Sequence, residues 1–199
     1  MADHELSTDE KIKIATQFLL TSPPGEVNEV FNDIRGLINN DEALQEGITP
    51  ALEQYNTEQL LTVTVPEVEH QVIISKYNQV DATHFIDPRS QQIFKFDHLR
   101  QVANKPQSHT VHEATEELRT AADKLVEQYV ADHYPEGASL TIGQDNQLTI
   151  LVVSNKFNPD NFWNGRWRAV WTLDLATCEL KGTAKVVVHY YEDGNVQLN

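Results

Sequence analysis

The 199-residue chain has a single cysteine, Cys178, so an internal disulfide framework is excluded and a reducing compartment suits it. It is also short of cations, with 15 Lys and Arg against 30 Asp and Glu and a net charge of −15. Nucleic acids and anionic membranes are held by basic footprints, so neither is an expected partner. No stretch approaches the ~20 consecutive apolar residues of a membrane span. Met1-Ala-Asp-His-Glu5 has neither a basic nor an apolar region, so no signal peptide is expected. Signatures of chemistry are missing too: no Gly-rich phosphate loop, no Gly-x-Ser-x-Gly, no His-Glu-x-x-His and no paired-carboxylate pattern. No catalytic residue, metal or cofactor is therefore expected, and the chain does not read as an enzyme. Among eight histidines the closest pair is His109 and His112, which reads as the solvated start of a helix. Cys178 has no Cys or His beside it and reads as a buried or turn thiol rather than a nucleophile.

What is present begins with a helical pattern. Ser7-Thr-Asp-Glu10 is a capping box, followed by Ile12, Ala15, Phe18 and Leu19 on one helical face. Ser22-Pro-Pro-Gly25 ends that helix. Val27, Val30, Phe31, Ile34, Leu37 and Ile38 form a second stripe, broken at Asn39-Asn-Asp41. Thr49-Pro50 reads as a cap with Pro at the first helical position, opening a third helix with Leu52, Tyr55 and Leu60. Each stripe needs a neighbour, so residues 1–60 are expected to form a small antiparallel bundle.

The composition shifts at Leu61. Leu61–Val65, Gln71–Ser75 and Gln92–Phe96 read as short strands of a middle β unit over residues 61–103. Asn104–His109 reads as a polar linker opening a third region, residues 104–199. Its helix carries Ala114, Leu118, Ala121, Leu125 and Tyr129. From Ala138 the period becomes two, with strands at Ser139–Ile142, Gln147–Val153, Arg166–Leu173, Leu180–Tyr190 and Val196–Leu198. Glu192-Asp-Gly-Asn195 supplies the hairpin turn, with Gly194 accepting a positive φ. The fold class is α+β, ending in a five-stranded antiparallel meander with one face to solvate and two edges to hide.

One stretch supports two readings. In Phe162–Trp171, Trp167 and Trp171 lie four apart on one strand face and could fill a core, with Trp163 plugging a corner before a turn at Gly165. Alternatively, Trp and Arg are anchors of a partner interface. Arg166 and Arg168 share the other face and suit acidic groups. His189, Tyr190 and Tyr191 in the last long strand complete the candidate set.

Val188-His-Tyr-Tyr-Glu-Asp-Gly-Asn-Val196 resembles the signature of the F-actin capping protein alpha subunit family. Asn161-Phe-Trp-Asn-Gly-Arg-Trp-Arg168, and Phe31-Asn-Asp-Ile-Arg35 followed by Asn39-Asn-Asp41, are similar to the same family. The likeness extends over essentially the whole chain. It implies a cytoplasmic, cytoskeletal protein that pairs with a beta subunit, which would continue the sheet. The dimer would bind filament barbed ends and block subunit exchange without severing. Family members continue past the terminal hairpin into a long helix and an amphipathic tail, neither of which stands in this sequence. An uncovered apolar sheet face and weak capping are therefore expected, with a structural subunit that pairs but does not cap as the alternative.

Overall fold

The computed structural model describes residues 6–38, 40–110, 115–191 and 196–198. Three helices come first: α1 (Thr8–Leu20), α2 (Val27–Ile38) and α3 (Asp41–Glu58). The capping box forms: the Glu10 N–H donates to Ser7 Oγ, and the Ser7 N–H to Glu10 Oε2 at 2.9 Å. Ala15, Leu19, Val27, Ile34, Leu44, Ile48, Leu52 and Tyr55 make one buried cluster. A fully buried Leu or Ile there is worth about 1.5–3 kcal/mol over the exposed side chain. At Gly47 a Cβ would stand 2.6 Å from the Ile12 side chain, so its bare backbone lets α1 lie close to α3.

Two details depart from the expected pattern. Phe18 is 59% exposed, because α1 turns only Ala15 and Leu19 fully inward. The third helix starts not at Thr49-Pro50 but at Asn40, whose side chain accepts the Ala43 N–H. Pro50 lies inside α3, on its exposed side, where the loss of one backbone donor is tolerated.

The middle strands form two small sheets. β1 (Thr62–Thr64) pairs with β2 (Gln71–Ile73); β3 (His84–Asp87), β4 (Gln92–Asp97) and β5 (Val102–Ser108) lie in that order, all antiparallel. Phe85, Phe94 and Phe96 turn to the buried face, and Ile86, Ile93 and Lys95 to the other. The stretch Asn104–Ser108 is strand, not linker. It is polar because β5 has a solvated face and carries its Pro at an irregularity in the pairing, where a missing donor is accommodated.

Helix α4 (Glu116–His133) leads to β6 (Gly137–Gln144), β7 (Gln147–Asn158), β8 (Trp163–Asp174), β9 (Glu179–Tyr190) and β10 (Val196–Leu198). These five form one antiparallel sheet in the order β10-β9-β8-β7-β6. One face buries Leu140, Leu151 and Val153 with Leu60 and Ile73, so this sheet and the middle strands share a core. The turn assigned to Glu192–Asn195, with Gly194, and the residues His112 and Ala114 lie outside the described residues.

Helix α4 is rotated from expectation. Leu118, Leu125 and Tyr129 are exposed, Leu125 by 73%, while Arg119, Asp123 and Val130 are buried against the sheet. The cause is a polar clasp. Arg89, in the β3–β4 turn, donates to both Asp123 oxygens at 2.8 and 3.0 Å, and Asp123 accepts the Thr141 N–H from β6. Arg119 donates to Glu116 and to the Thr141 carbonyl. Removing one partner of a buried pair leaves a charge uncompensated, so the clasp holds its polar face inward.

His98 joins α3 to the middle strands. Asn56 donates to the His98 carbonyl at 3.0 Å and meets its Nδ1 at 3.2 Å, while Nε2 reaches the Ala82 carbonyl. Burial holds the imidazole below its ordinary range, opposed by the bond to Ala82. The unfolded chain therefore takes up a proton that the folded chain refuses as pH falls below about 6.5. Stability should decrease as pH is lowered through that value, and the drop in urea midpoint between pH 7.5 and 5.5 should be smaller in His98→Gln. An equal drop in both proteins would remove His98 from the linkage.

Candidate functional site

The candidate residues divide between the two faces of β8 and β9, because direct partners in an antiparallel ladder share a face. Asn164 pairs with His189, Arg166 with Val187 and Arg168 with Lys185, all toward the helices. Arg166 is buried, with no carboxylate partner among the described residues. Its Nε donates to Asn155 Oδ1 at 2.6 Å and its Nη1 to the Gln59 carbonyl at 3.5 Å. Arg168 donates to the Glu58 carbonyl. Both therefore supply donors at the carboxyl end of α3, where terminal carbonyls lack partners and the dipole is negative. Acidic side chains were the expected partners; backbone carbonyls take that place for both arginines. Burial lowers the pKa of both guanidiniums, opposed by Tyr55 near Arg166 and by Glu58 near Arg168, and an arginine stays charged even so.

Next to this pair, His189 Nδ1 lies 2.7 Å from Glu26 Oε1, and Asn164 Nδ2 donates to the same oxygen at 2.8 Å. Glu26 sits in the α1–α2 turn. Gly25 beside it has φ +83°, and a Cβ there would be 3.0 Å from the Phe157 ring of β7. Both requirements select glycine. The turn is thus pinned to the sheet by polar and aromatic contacts at once. Tyr191 follows, tilted on His189 at 5.5 Å and edge-on to Phe162 at 5.9 Å; Tyr190, its chain neighbour, is half-buried on the other face.

That other face carries Trp163, Trp167 and Trp171. Trp163 belongs to β8 and lies over Gly165, which is a strand residue and not a turn. Trp167 stacks on Tyr134 at 4.9 Å. Trp171 is 40% exposed and covers Gly182, where a Cβ would stand 2.0 Å from the indole. Leu180, Val186, Val196 and Leu198 are exposed on the same side, Leu198 by 60%, giving an apolar surface across β8, β9 and β10. Helix α4 covers β6 and reaches β7, which leaves this half open.

Among the described residues no cluster of three or more His, Cys, Asp or Glu could hold a metal, and no helix is long and apolar enough to cross a membrane. Cys178 is exposed in the β8–β9 turn. Sequence reasoning missed Glu26, whose only local signal is its place after Pro-Pro-Gly. Glu26→Ala should destabilise the chain by about 1.5–3 kcal/mol, since it removes the charge-assisted bonds that buried His189 and half-buried Asn164 make to one carboxylate. A urea midpoint unchanged from wild type would show that the helices and sheet are held by other contacts.

Comparison with known proteins places this geometry. The sequence profile of the F-actin capping protein alpha subunit family matches residues 15–199. The alpha subunit of Gibberella zeae is 40% identical over 190 residues, 94% of this chain and 70% of that protein. The Caenorhabditis elegans alpha subunit is 39% identical over 201 residues, 98% and 71% of the two chains. The structure of a homodimeric actin capping protein alpha subunit from Plasmodium berghei superposes with a TM-score of 0.81 at 22% identity. It covers 96% of this chain and 76% of that one, and so shares the fold. The α+β architecture, the profile and the identities agree, and the chain belongs to the F-actin capping protein alpha subunit family.

Proposed function

We propose that this chain is the alpha half of a capping heterodimer: it pairs with a beta subunit, and the pair binds actin filament barbed ends. Binding there blocks subunit exchange sterically, without severing and without turnover of a substrate. Its place is the cytoplasmic actin cytoskeleton. The observation that carries the reading is the open half of the sheet. Val196 and Leu198 are exposed on β10, a strand that pairs on one side only among the described residues, and exposed Val186, Leu180 and Trp171 continue the apolar surface along β9 and β8 beyond it. Apolar surface of this kind marks an interface, and an unpaired strand edge is a template for another strand. A partner strand added to β10 would extend the sheet beside Val196 and Leu198, and the body of the partner would cover Val186, Leu180 and Trp171 farther along β9 and β8. Trp171, with Tyr190 near the edge, would then act as an anchor, while Arg166, Arg168 and His189 hold the sheet to its own helices.

A second reading has a specific support. The structural relative from Plasmodium berghei is a homodimer of alpha subunits, so a second copy of this chain could occupy the same edge. Sedimentation separates the two. The chain alone should self-associate, and beta subunit should convert it to a 1:1 complex that slows elongation from barbed-end seeds. The double variant Val196→Arg, Leu198→Arg should weaken pairing about 100-fold, or about 2.7 kcal/mol, with the monomer still folded. A monodisperse monomer that ignores the beta subunit and leaves elongation unchanged would defeat the proposal. A stable homodimer that excludes the beta subunit would favour the second reading.

A further inference from the structure

The chain's charge is unevenly spread. Residues 61–110 carry five Asp and Glu and five Lys and Arg, so the net −15 falls entirely on the rest. Within this neutral region the outer face of β3-β4-β5 has a hollow of about 320 Å³ lined by Asp81, His84, Ile93, Lys95, Lys105 and Gln107. Lys95 and Lys105 are both exposed, and among the described residues neither has a carboxylate partner. Asp81, the one acid in the hollow, is exposed and already engaged locally: it accepts the N–H groups of Thr83 and His84 and meets His84 Nδ1 at 3.0 Å. Those backbone and imidazole contacts hold its pKa down to about 2.

The backbone puts the second lysine there at a cost. Ile93 pairs with Gln107 and Lys95 with Asn104, so Lys105 and Pro106 together face the single residue Phe94. That is a β-bulge, and its first residue, Lys105, has φ +52°. Glycine is the residue that takes this position without strain, and a residue before proline is pushed the other way, to extended backbone. A bulge re-aims the side chain it carries, and strain of this kind persists where surrounding structure enforces it. Here it brings Lys105 to the rim of the hollow that Lys95 also lines, with Ile93 as an apolar wall and Gln107 as a further donor.

We propose that this face is a docking site for an acidic peptide segment of a protein partner, with carboxylates on Lys95 and Lys105 and an apolar side chain against Ile93. Charge complementarity selects that occupant: an acidic segment is repelled by the rest of the chain and admitted at this neutral region with its two free ammonium groups. At about 320 Å³ the hollow is larger than one inorganic anion fills, and its apolar wall at Ile93 favours a peptide over an inorganic ion.

The test uses the full chain and a labelled decapeptide of glutamates with a central leucine, followed by fluorescence anisotropy at 50 mM salt. Wild type should bind, and Lys95→Ser should bind about tenfold more weakly, with binding lost at 300 mM salt. Lys105→Gly separates aim from folding, because it relieves the left-handed strain. It should melt no lower than wild type and still bind about tenfold more weakly. Lys124→Ser, on exposed α4, should leave binding unchanged. Absence of binding by wild type, equal loss in all three variants, or undiminished binding by Lys105→Gly would overturn the proposal. So would displacement of the peptide by 10 mM inorganic phosphate, which would make the hollow a small-anion site.

Discussion

Two arginines facing the end of one helix hold the halves of this protein in register. Arg166 and Arg168 reach from β8 to the Gln59 and Glu58 carbonyls, and Asn164 and His189 converge on Glu26 in the turn before α2. Helix termini leave carbonyls unsatisfied, and a buried guanidinium needs acceptors; each requirement meets the other here. Hydrogen bonds to charged groups contribute about 1.5–3 kcal/mol apiece. Unlike an apolar contact, they are directional, so they specify how the helices sit on the sheet.

That arrangement divides the sheet's labour. One face is committed inward, to the helices at Arg166 and His189 and to the middle strands at Leu140 and Leu151. The other is covered by α4 over β6 and is left apolar and open from Trp171 to Leu198. The Arg89–Asp123 clasp serves both: it locks the middle strands to α4, and by burying the polar side of α4 it turns Leu118, Leu125 and Tyr129 outward. Apolar surface is thereby gathered on one side of the molecule.

How much of this was legible follows from how local each signal is. The capping box of Ser7 and Glu10, the Pro-Pro-Gly stop and the period-two strands after Ala138 are short-range patterns, and they form where they were read. The resemblance carried by Val188–Val196 and Asn161–Arg168 led to the family, which neither composition nor periodicity could have named. What failed depends on distant partners. The stripe on α4 pointed the wrong way because Asp123 is claimed by Arg89, 34 residues earlier. Asn104–Ser108 looked like a linker because an edge strand with a solvated face has linker composition. Helix α3 ran through Pro50 because Asn40 and the packing of Leu44 and Ile48 extend it backwards. The strand alternation of Trp163, Trp167 and Trp171 was readable, but not that the last would lie open over Gly182.

The tie between Glu26 and His189 joins residues 163 apart, and the bonds from Arg166 and Arg168 to α3 close loops of 107 and 110 residues. Closing such loops costs chain entropy before any contact rewards it, and folding slows as contacts become less local. During synthesis the helices emerge first, with the acceptors at Glu26, Glu58 and Gln59 waiting for donors that follow 107 to 163 residues later. The helical layer can therefore reach its final seat only after β8 and β9 have been made. Until then the apolar seam of the helices and the unfinished sheet are both uncovered, and exposed apolar surface of that kind is what invites misassembly before the long-range bonds close.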